Sequence, residues 1–383
     1  MQLVAYGAQD IYLTNNPQIT FFKVVYRRHT NFAIESIEQT FNGSVNFGNK
    51  VSCTVSRNGD LIHKVYLQVD LPSISGTGTT ARWVDNVGHV LIDEVNVEIG
   101  GQQIDKHYGD WLNIWNELTL PAEKEAGFNE MIGNAGLTSQ KASHNATTLY
   151  VPLQFWFCRN PGLALPLIAL QYHEVKFNFK FRPFSELVKG TSVTAGADLG
   201  ATLYVDYIYL DTDERRQFAQ VQHEYLIEQL QFTGAESFSN TAVKSKLALN
   251  HPCKELVWVV QSDDNADAND WSNYTFSGEE PVDSAKLQLN GHDRFSAREG
   301  RYFNLVQPFQ HHTRIPSGGI YVYSFALNPE QHQPSGTVNM SRIDNATLQL
   351  TLSSPDACKL RVYAVNYNVL RIMSGMGGLA YSN

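Results

Sequence analysis

Short runs of alternating apolar and polar residues, bounded by Gly, Asn, Pro and Asp, extend from about Phe21 to the end of the chain. This period of two is typical of β-strands that bury one face. The runs include VSCTVSRNGD, with a turn at Asn58 and Gly59, and IHKVYLQVDL, VLIDEVNVEI, EVKFNFKF, TLYVDYIYL, ELVWVVQ, IYVYSFAL, TLQLTL and KLRVYAVNYNVL. Ten or more strands and few helices predict an all-β chain, and 20 Phe and 18 Tyr suit strands that pack face to face.

One window has the spacing of a helix instead. In GDWLNIWNEL, Trp111, Ile114, Trp115 and Leu118 recur at helical intervals after Asp110, a residue type that caps helix N-termini. We therefore expect a short helix, capped by Asp110, on the rim of the first sandwich.

The chain also contains an internal repeat. The run VNVEIGGQQIDKHYGDWLNI is echoed by LQLNGHDRFSAREGRYFNL, with a Gly at each turn and apolar residues in register. The matched pairs along the chain are Lys64 and Lys254, Gly101 and Gly291, Asn113 and Asn304, Asn160 and Asn328, and Val205 and Val365. A repeat of this length predicts two copies of one fold.

The repeat divides the chain into an N-terminal segment 1–24, a first domain 25–210, a linker 211–222 and a second domain 223–383. The linker window DTDERRQFAQVQHEY is the most charged part of the chain and is rich in helix-forming residues. The first copy carries extra residues near 121–148 and 188–200. Both stretches are polar, so we expect them on the surface.

About eight strands in each copy, with long connections and no alternation of strands and helices, predict two eight-stranded antiparallel jelly rolls in tandem. An immunoglobulin-like sandwich is smaller and is the alternative.

Composition limits the function. The net charge of −9 argues against direct contact with nucleic acid, which needs basic patches. No apolar run approaches the roughly 20 residues that cross a bilayer, and the first residues lack a signal-peptide pattern, so we expect no secretory entry. The four cysteines, Cys53, Cys158, Cys253 and Cys358, are far apart, which predicts buried free thiols rather than disulfides or a zinc site.

Candidate catalytic and metal-binding groups are weak. The neighbouring carboxylates Asp93 and Glu94, and Glu279 and Glu280, point to opposite faces of a strand and are poor acid–base partners. The acidic loop SDDNADANDW lacks the central Gly and distal Glu of an EF-hand, so a solvated loop is favoured over a calcium site. We expect no catalytic, cofactor or metal site.

Four histidines of the second copy are candidate metal ligands. His311 and His312 are consecutive and face opposite ways on an extended segment, and His292 and His332 lie in turns nearby. Hydrogen-bonded loop histidines are the favoured interpretation.

Glycosylation sequons are the remaining candidate sites. They begin at Asn42, Asn145, Asn273, Asn339 and Asn345. Because no signal peptide is expected, chance explains most of them. Asn145 and Asn273 fall in predicted exposed loops and are the two candidate glycosylation sites.

Two long blocks carry a family resemblance. QLVAYGAQDIYLTNNPQITFFKVVYRRHTNFAIES with FNGSVNFGNKVSCTVSRNGDLI, and GRYFNLVQPFQHHTRIPSGGIYVYSFALNPEQHQPSGTVNMSRIDNATLQL, closely resemble major capsid proteins of nucleocytoplasmic large DNA viruses, especially the phycodnavirus and mimivirus-like branch. The resemblance covers essentially the whole chain. It implies a double jelly roll that works by assembly, without catalysis.

The resemblance also implies partners. Three copies would form a capsomer of pseudo-hexagonal outline that tiles an icosahedral shell, assembled in the host cytoplasm and lying over an internal membrane. The N-terminal segment would face inward and contact neighbouring or minor capsid proteins rather than insert into lipid. A minor or paralogous capsid protein, or a carbohydrate-binding jelly roll, is the alternative function.

The chain departs from the family in one respect. Many relatives carry long insertions in the second roll that build an outward tower, whereas here the second copy is the shorter one. We therefore expect a low outer surface, with the loop 262–277 as its main decoration in the second roll, and host attachment by a large tower is in doubt.

Overall fold

The computed structural model describes residues 7–382. Among the described residues, 7–32 form one unit and 33–382 form a second, compact unit. The described part of the first unit contains one short helix, α1 (Ile11–Thr14). No helix within residues 7–382 combines the length and the apolar character needed to cross a bilayer.

The first half of the compact unit is a sandwich of two antiparallel sheets. Its eight main strands are β1 (Phe32–Gln39), β2 (Lys50–Thr54), β3 (Leu61–Leu71), β4 (Ile92–Ile99), β5 (Gln102–Tyr108), β6 (Thr147–Pro152), β7 (Val175–Phe181) and β8 (Gly200–Leu210). One sheet has the order β1–β8–β3–β6 and the other β2–β7–β4–β5. Short strands extend these sheets or form small ones at Ile74–Ser75, Arg82–Trp83, Ser143–His144, Leu165–Pro166, Val188–Lys189 and Thr194–Ala195.

The second half repeats this arrangement. Its main strands are β9 (His223–Phe232), β10 (Ala242–Leu247), β11 (Pro252–Ser262), β12 (Val282–Leu289), β13 (His292–Asp293), β14 (Ile320–Ser324), β15 (Ala346–Leu352) and β16 (Cys358–Met373). The sheet orders are β9–β16–β11–β14 and β10–β15–β12–β13, which are the orders of the first half with eight added to each number. Further short strands lie at Glu236–Phe238, Arg298–Glu299, Val338–Asn339 and Met376–Leu379.

Alternating burial explains why these segments are strands. In β3, Val65, Leu67 and Val69 face the interior, while Tyr66 and Gln68 between them face outward. Each half therefore has its own apolar core between its two sheets. The antiparallel all-β prediction, with eight main strands in each copy, is confirmed.

The repeated hairpin is confirmed in detail. The turn between β4 and β5 is Gly100–Gly101, and the turn between β12 and β13 is Asn290–Gly291. All four residues have positive φ, between 51° and 82°. Such a two-residue turn matches the twist of the paired strands, and only Gly and Asn adopt it readily.

Helices connect the strands. They are α2 (Val87–Leu91), α3 (Gly109–Thr119), α4 (Glu125–Ile132), α5 (Trp156–Arg159), α6 (Thr212–Gln220), α7 (Asp263–Asp267) and α8 (Gln307–His311). Short 3₁₀ turns lie at Ala122–Lys124, Pro161–Leu163, Phe184–Glu186 and Met340–Arg342, and a π-helical turn at Tyr302–Val306 leads into α8. Helix α6 connects the halves, and the Asp211 side chain caps it by accepting a hydrogen bond from the Glu214 N–H.

Two details of the sequence interpretation are wrong. Asp110 makes no capping hydrogen bond, because it lies inside the first turn of α3, whose N-cap residue is Tyr108; its carboxylate pairs with Arg361 at 3.5 Å instead. The stretch 121–148 is only partly a surface insertion, because it contains α4, whose last residue, Ile132, is fully buried.

Candidate assembly surfaces

Helix α3 lies between the two halves rather than on a rim, which corrects the prediction. Trp111, Ile114, Trp115 and Leu118 form one apolar cluster with residues on the outer face of the second half's large sheet. Trp111 lies 5.4 Å from the Tyr363 ring. The residues at helical spacing in the sequence form the apolar stripe of α3, and this stripe packs against the second half.

A buried ion cluster lies at the same junction. Glu228 of β9 accepts hydrogen bonds from Lys254 at 2.8 Å and from Arg159 at 3.0 Å, while the Arg159 guanidinium lies 4.1 Å from the Trp115 ring. His332 Nδ1 lies 3.7 Å from Glu228. Burial alone would raise the pKa of Glu228, but the neighbouring His332 and the charges of Arg159 and Lys254 outweigh burial and lower it. Because Arg159 belongs to the first half and Lys254 to the second, this carboxylate ties the halves together.

His312 occupies a second buried ionic site. Its Nε2 donates to Glu255 at 2.8 Å and its Nδ1 to Glu330 at 2.9 Å. Burial would lower the pKa of His312, but the charges and hydrogen bonds of the two carboxylates outweigh burial and raise it to about 9. The pKa of Glu330 is lowered, because hydrogen bonds from His312 and Thr313 outweigh its burial. His312 is therefore a buried cation at neutral pH.

His311 and His292 have different surroundings. His311 Nδ1 lies 2.9 Å from the Leu327 carbonyl oxygen, and His292 is exposed in β13. The expectation of hydrogen-bonded histidines is confirmed for His311 and His312. Within residues 7–382, no set of three or more His, Cys, Asp or Glu side chains has the arrangement of a metal site.

The sequence analysis did not identify the buried carboxylates Glu228, Glu255 and Glu330 of these two ionic sites. Lys254 and Glu255 lie next to the apolar run LVWVV, near the start of the most buried main strand, β11. A charged pair inside a buried strand indicates buried partners. Nothing local in the sequence identifies Glu228, Arg159 or Glu330 as those partners, because they come from distant segments.

The acidic loop 262–277 is also different from the prediction. It begins with α7 and then packs against the first half instead of decorating the surface. Trp271 Nε1 donates to the Glu186 carbonyl at 2.8 Å, the Arg182 guanidinium lies 4.4 Å from the Trp271 ring, and Lys189 pairs with Asp270 at 3.0 Å. Its acidic residues serve partly as contacts between the halves.

The two candidate glycosylation sites have different surroundings. Asn145 is exposed before β6. Asn273 is half-buried: its amide donates to Asp270 at 3.0 Å, and its carbonyl oxygen accepts from the Thr275 hydroxyl at 2.7 Å. The expected exposure is correct for Asn145 and wrong for Asn273, because the acidic loop folds onto the first half.

The carboxylate pairs have structural partners. Asp93 pairs with Lys180 and Arg182, whereas Glu94 pairs with Lys106 at 2.8 Å. Glu280 accepts from the Tyr321 hydroxyl at 2.6 Å, and Glu279 is exposed. All four cysteines are buried and free, as predicted.

Comparison with known proteins identifies the family. The profile described as "Major capsid protein N-terminus" matches residues 20–211, and that described as "Large eukaryotic DNA virus major capsid protein" matches residues 214–378. Major capsid proteins of Pyramimonas orientalis virus and Paramecium bursaria Chlorella virus 1 are 60% and 48% identical, each over 100% of this chain and 99% of the relative. That of Phaeocystis pouchetii virus is 50% identical with the same coverage.

Solved structures agree. The VP54 protein of PBCV-1 superposes with a TM-score of 0.85 at 42% identity, covering 95% of this chain and all of that one. The Faustovirus major capsid protein superposes with a TM-score of 0.83 over 96% of this chain and 94% of its own, and at 14% identity it supports the fold alone. The double jelly-roll prediction is confirmed, and the chain belongs to the major capsid protein family of large eukaryotic DNA viruses, as a structural component of the virion capsid.

Proposed function

We propose that three copies of this chain form a capsomer of pseudo-hexagonal outline, and that such capsomers tile the icosahedral shell. The observation that carries the proposal is the equivalence of the two halves, which share one strand order in both sheets. Six comparable sandwiches around one axis allow a three-fold object to occupy a six-fold lattice position. Self-association is therefore the activity of this protein.

The protein acts by assembly and not by catalysis. The buried charged groups support this view, because Glu228 is engaged with Arg159 across the two halves, and His312 and Glu330 are paired within the second half. Large intersubunit areas with apolar centres and polar rims supply the affinity in obligate oligomers.

The proposed division of labour follows the proposed domains, 1–24, 25–210, 211–222 and 223–383. The N-terminal segment faces inward and contacts neighbouring capsomers or minor capsid proteins. Its described part supports this role, because Tyr12, Phe21 and Phe22 have exposed side chains. The internal membrane lies nearby without receiving this segment, no nucleic acid is contacted directly, and assembly takes place in the host cytoplasm.

The outer surface is low. The alignment with the Phaeocystis pouchetii virus relative spans 515 positions, so 515 − 383 = 132 of them have no counterpart in this chain. Asn145 remains the more accessible glycosylation candidate. Mass spectrometry of protein from virions tests it, and an unmodified Asn145 peptide would contradict it.

Size-exclusion chromatography with light scattering tests the main proposal. The chain mass is 43.0 kDa, so a capsomer has about three times that mass. A stable trimer is the expected result, and a dilute monomer that binds glycans would instead favour the carbohydrate-binding alternative. Abundance in purified virions separates a major from a minor or paralogous capsid protein.

A further inference from the structure

The second half contains a counterpart of α3 that lies on the surface. It is the continuous helical segment from the π-helical turn through α8, residues 302–311, called here the Tyr302 segment. Like α3, it follows the repeated hairpin. Its exposed apolar residues are Leu305, Val306 and Phe309.

Two pairs of buried residues establish which residues of the two helices correspond. Gly109 and Gly300 both lie where an added Cβ would approach within 2.3 Å of a carbonyl oxygen at the start of the same hairpin strand, that of Ile92 or Val282. Asn113 and Asn304 are both buried. Each pair is separated by the same offset, 304 − 113 = 191.

Leu112 and Phe303 fit this offset as well, because each belongs to the core of its own half. The same offset pairs Ile114 with Leu305, Trp115 with Val306 and Leu118 with Phe309. The first members are 0%, 5% and 0% exposed, whereas the second members are 37%, 38% and 75% exposed. The apolar stripe of α3 thus has a counterpart in the Tyr302 segment. Within the described residues, the stripe of α3 is buried and its counterpart is exposed.

The surface that receives α3 also exists twice. In the second half it is the outer face of β9–β16–β11–β14, where Val257 is the Cα partner of Tyr363. In the first half the corresponding pair is Tyr66 and Tyr204, also Cα partners on the outer face of the large sheet. This register corrects the sequence alignment of Val205 with Val365 by one residue, because Val205 belongs to the inner core and Val365 to the outer cluster.

Within residues 33–382, this face of the first half is only partly covered: Tyr150 is 41% exposed, and Tyr66 and Tyr204 are half-buried. The rings of Tyr66 and Tyr204 stack at 5.3 Å, and Tyr150 lies 6.2 Å from Tyr66; together they form what we call the tyrosine face. A cavity of about 800 Å³ opens beside it and is lined in part by Tyr66, Tyr150 and Lys64. Aromatic side chains around a concave surface are typical of interface centres.

Charge complementarity agrees with the correspondence. Asp110 of α3 pairs with Arg361, which donates to Gln261 at 2.7 Å. The equivalent of Asp110 is Arg301, and the equivalent of Gln261, at the 191-residue offset, is Asp70. Both Arg301 and Asp70 are exposed. Arg301 and Asp70 carry opposite charges, so the contact inferred between chains can include an ion pair near the place of the pair within the chain.

We propose that the Tyr302 segment of one copy packs on the tyrosine face of a second copy, as α3 packs on the second half within each chain. This inference rests on the proposed trimer and specifies its interface. A contact of this kind joins different surfaces of the two partners, so it closes into a ring when it repeats around an axis. A ring of three chains would contain six similar contacts between a helix and a sheet, three within chains and three between chains, in alternation.

Two substitutions test the interface. Leu305→Asp and Phe309→Asp place a charge on exposed side chains and leave the fold of the single chain intact, which circular dichroism checks. Burying one such side chain is worth a factor of about ten or more in association, so each variant should dissociate at least tenfold more readily than the wild type in sedimentation equilibrium. The matched control is Val221→Asp, an exposed position after α6, which should remain trimeric.

The outcomes separate this inference from the proposed function. If the wild type is a trimer and both variants remain equally stable trimers, the interface is assigned wrongly while the capsomer stands. If the wild type is monomeric, the proposed function fails first. If the control dissociates as readily as the two variants, the effect is general and the assignment is also overturned.

Cross-linking gives a positive result for the same contact. A chain carrying both Leu305→Cys and Tyr204→Cys, treated with a short bifunctional thiol reagent, should yield covalent dimers and trimers on denaturing gels. The native cysteines are buried, and burial raises the pKa of Cys53 and Cys358 to about 11, so they react slowly. Each single-cysteine variant is the control, and a ladder that is absent from the double variant contradicts the proposed contact.

Discussion

His312 joins two carboxylates in the interior of the second half. It is a buried cation held between Glu255 and Glu330, and it lies within a larger set of buried charges. Removing one member of a buried ion pair leaves an uncompensated charge, which costs about 3–5 kcal/mol. His312→Gln should therefore lower the free energy of unfolding by about that amount, measured with urea at pH 7. A loss below about 1 kcal/mol would contradict the buried cation.

The same residue predicts a pH dependence. The pKa of His312 rises from 6.5 to about 9 on folding, so its contribution is complete below pH 6.5 and is lost as the pH rises through 9. The wild type should lose on the order of 3 kcal/mol of unfolding free energy over that interval. Urea unfolding at pH 6.5 and 9.5, at one protein concentration, measures it. His312→Gln is the control, and an equal loss in that variant would assign the effect to other groups.

At the scale of elements, α3 is the central contact between the halves. Trp111 is fully buried against the second half's sheet. Trp111→Ala should lower the free energy of unfolding by about 3–5 kcal/mol, through lost burial and the cavity left behind. The exposed substitution Val221→Ala should change it by less than about 0.5 kcal/mol. Similar losses for the two variants in denaturant unfolding would show that α3 does not hold the halves together.

The acidic loop provides a second element to test. Trp271→Ala removes the hydrogen bond to Glu186 and the stacking of Arg182. The loop should then open more often, so amide hydrogen exchange in residues 263–277 should increase at least tenfold. Asp264→Ala, at an exposed position of the same loop, is the matched control. Unchanged exchange in the tryptophan variant would mean that the loop is held by other contacts.

Local patterns explain which elements could be predicted from the sequence. Alternation located the strands, and the turns at Gly100–Gly101 and Asn290–Gly291 follow from short-range geometry. The helical stripe of α3 is also visible in the sequence, but the surface that buries it is not, because the second half's sheet is contributed by segments more than 100 residues away. The contacts of the acidic loop with the first half are also long-range, so its local sequence predicts a solvated loop.

At the scale of the whole molecule, the internal repeat has a structural meaning. Both halves carry the same strand order, the same hairpin and a helix after it, but within residues 7–382 only α3 has its apolar stripe buried. The exposed Tyr302 segment in the second half and the tyrosine face in the first half are the helix and the sheet surface that do not contact each other within one chain. In the proposed trimer, a single chain is one third of a closed ring.

Cryo-electron microscopy of the purified protein tests this central claim most directly. The account predicts particles with three-fold symmetry and six similar sandwiches around one axis, with the Tyr302 segment of each copy against the tyrosine face of the next. Particles consisting of a single chain, or of a two-fold dimer joined through another surface, would contradict it.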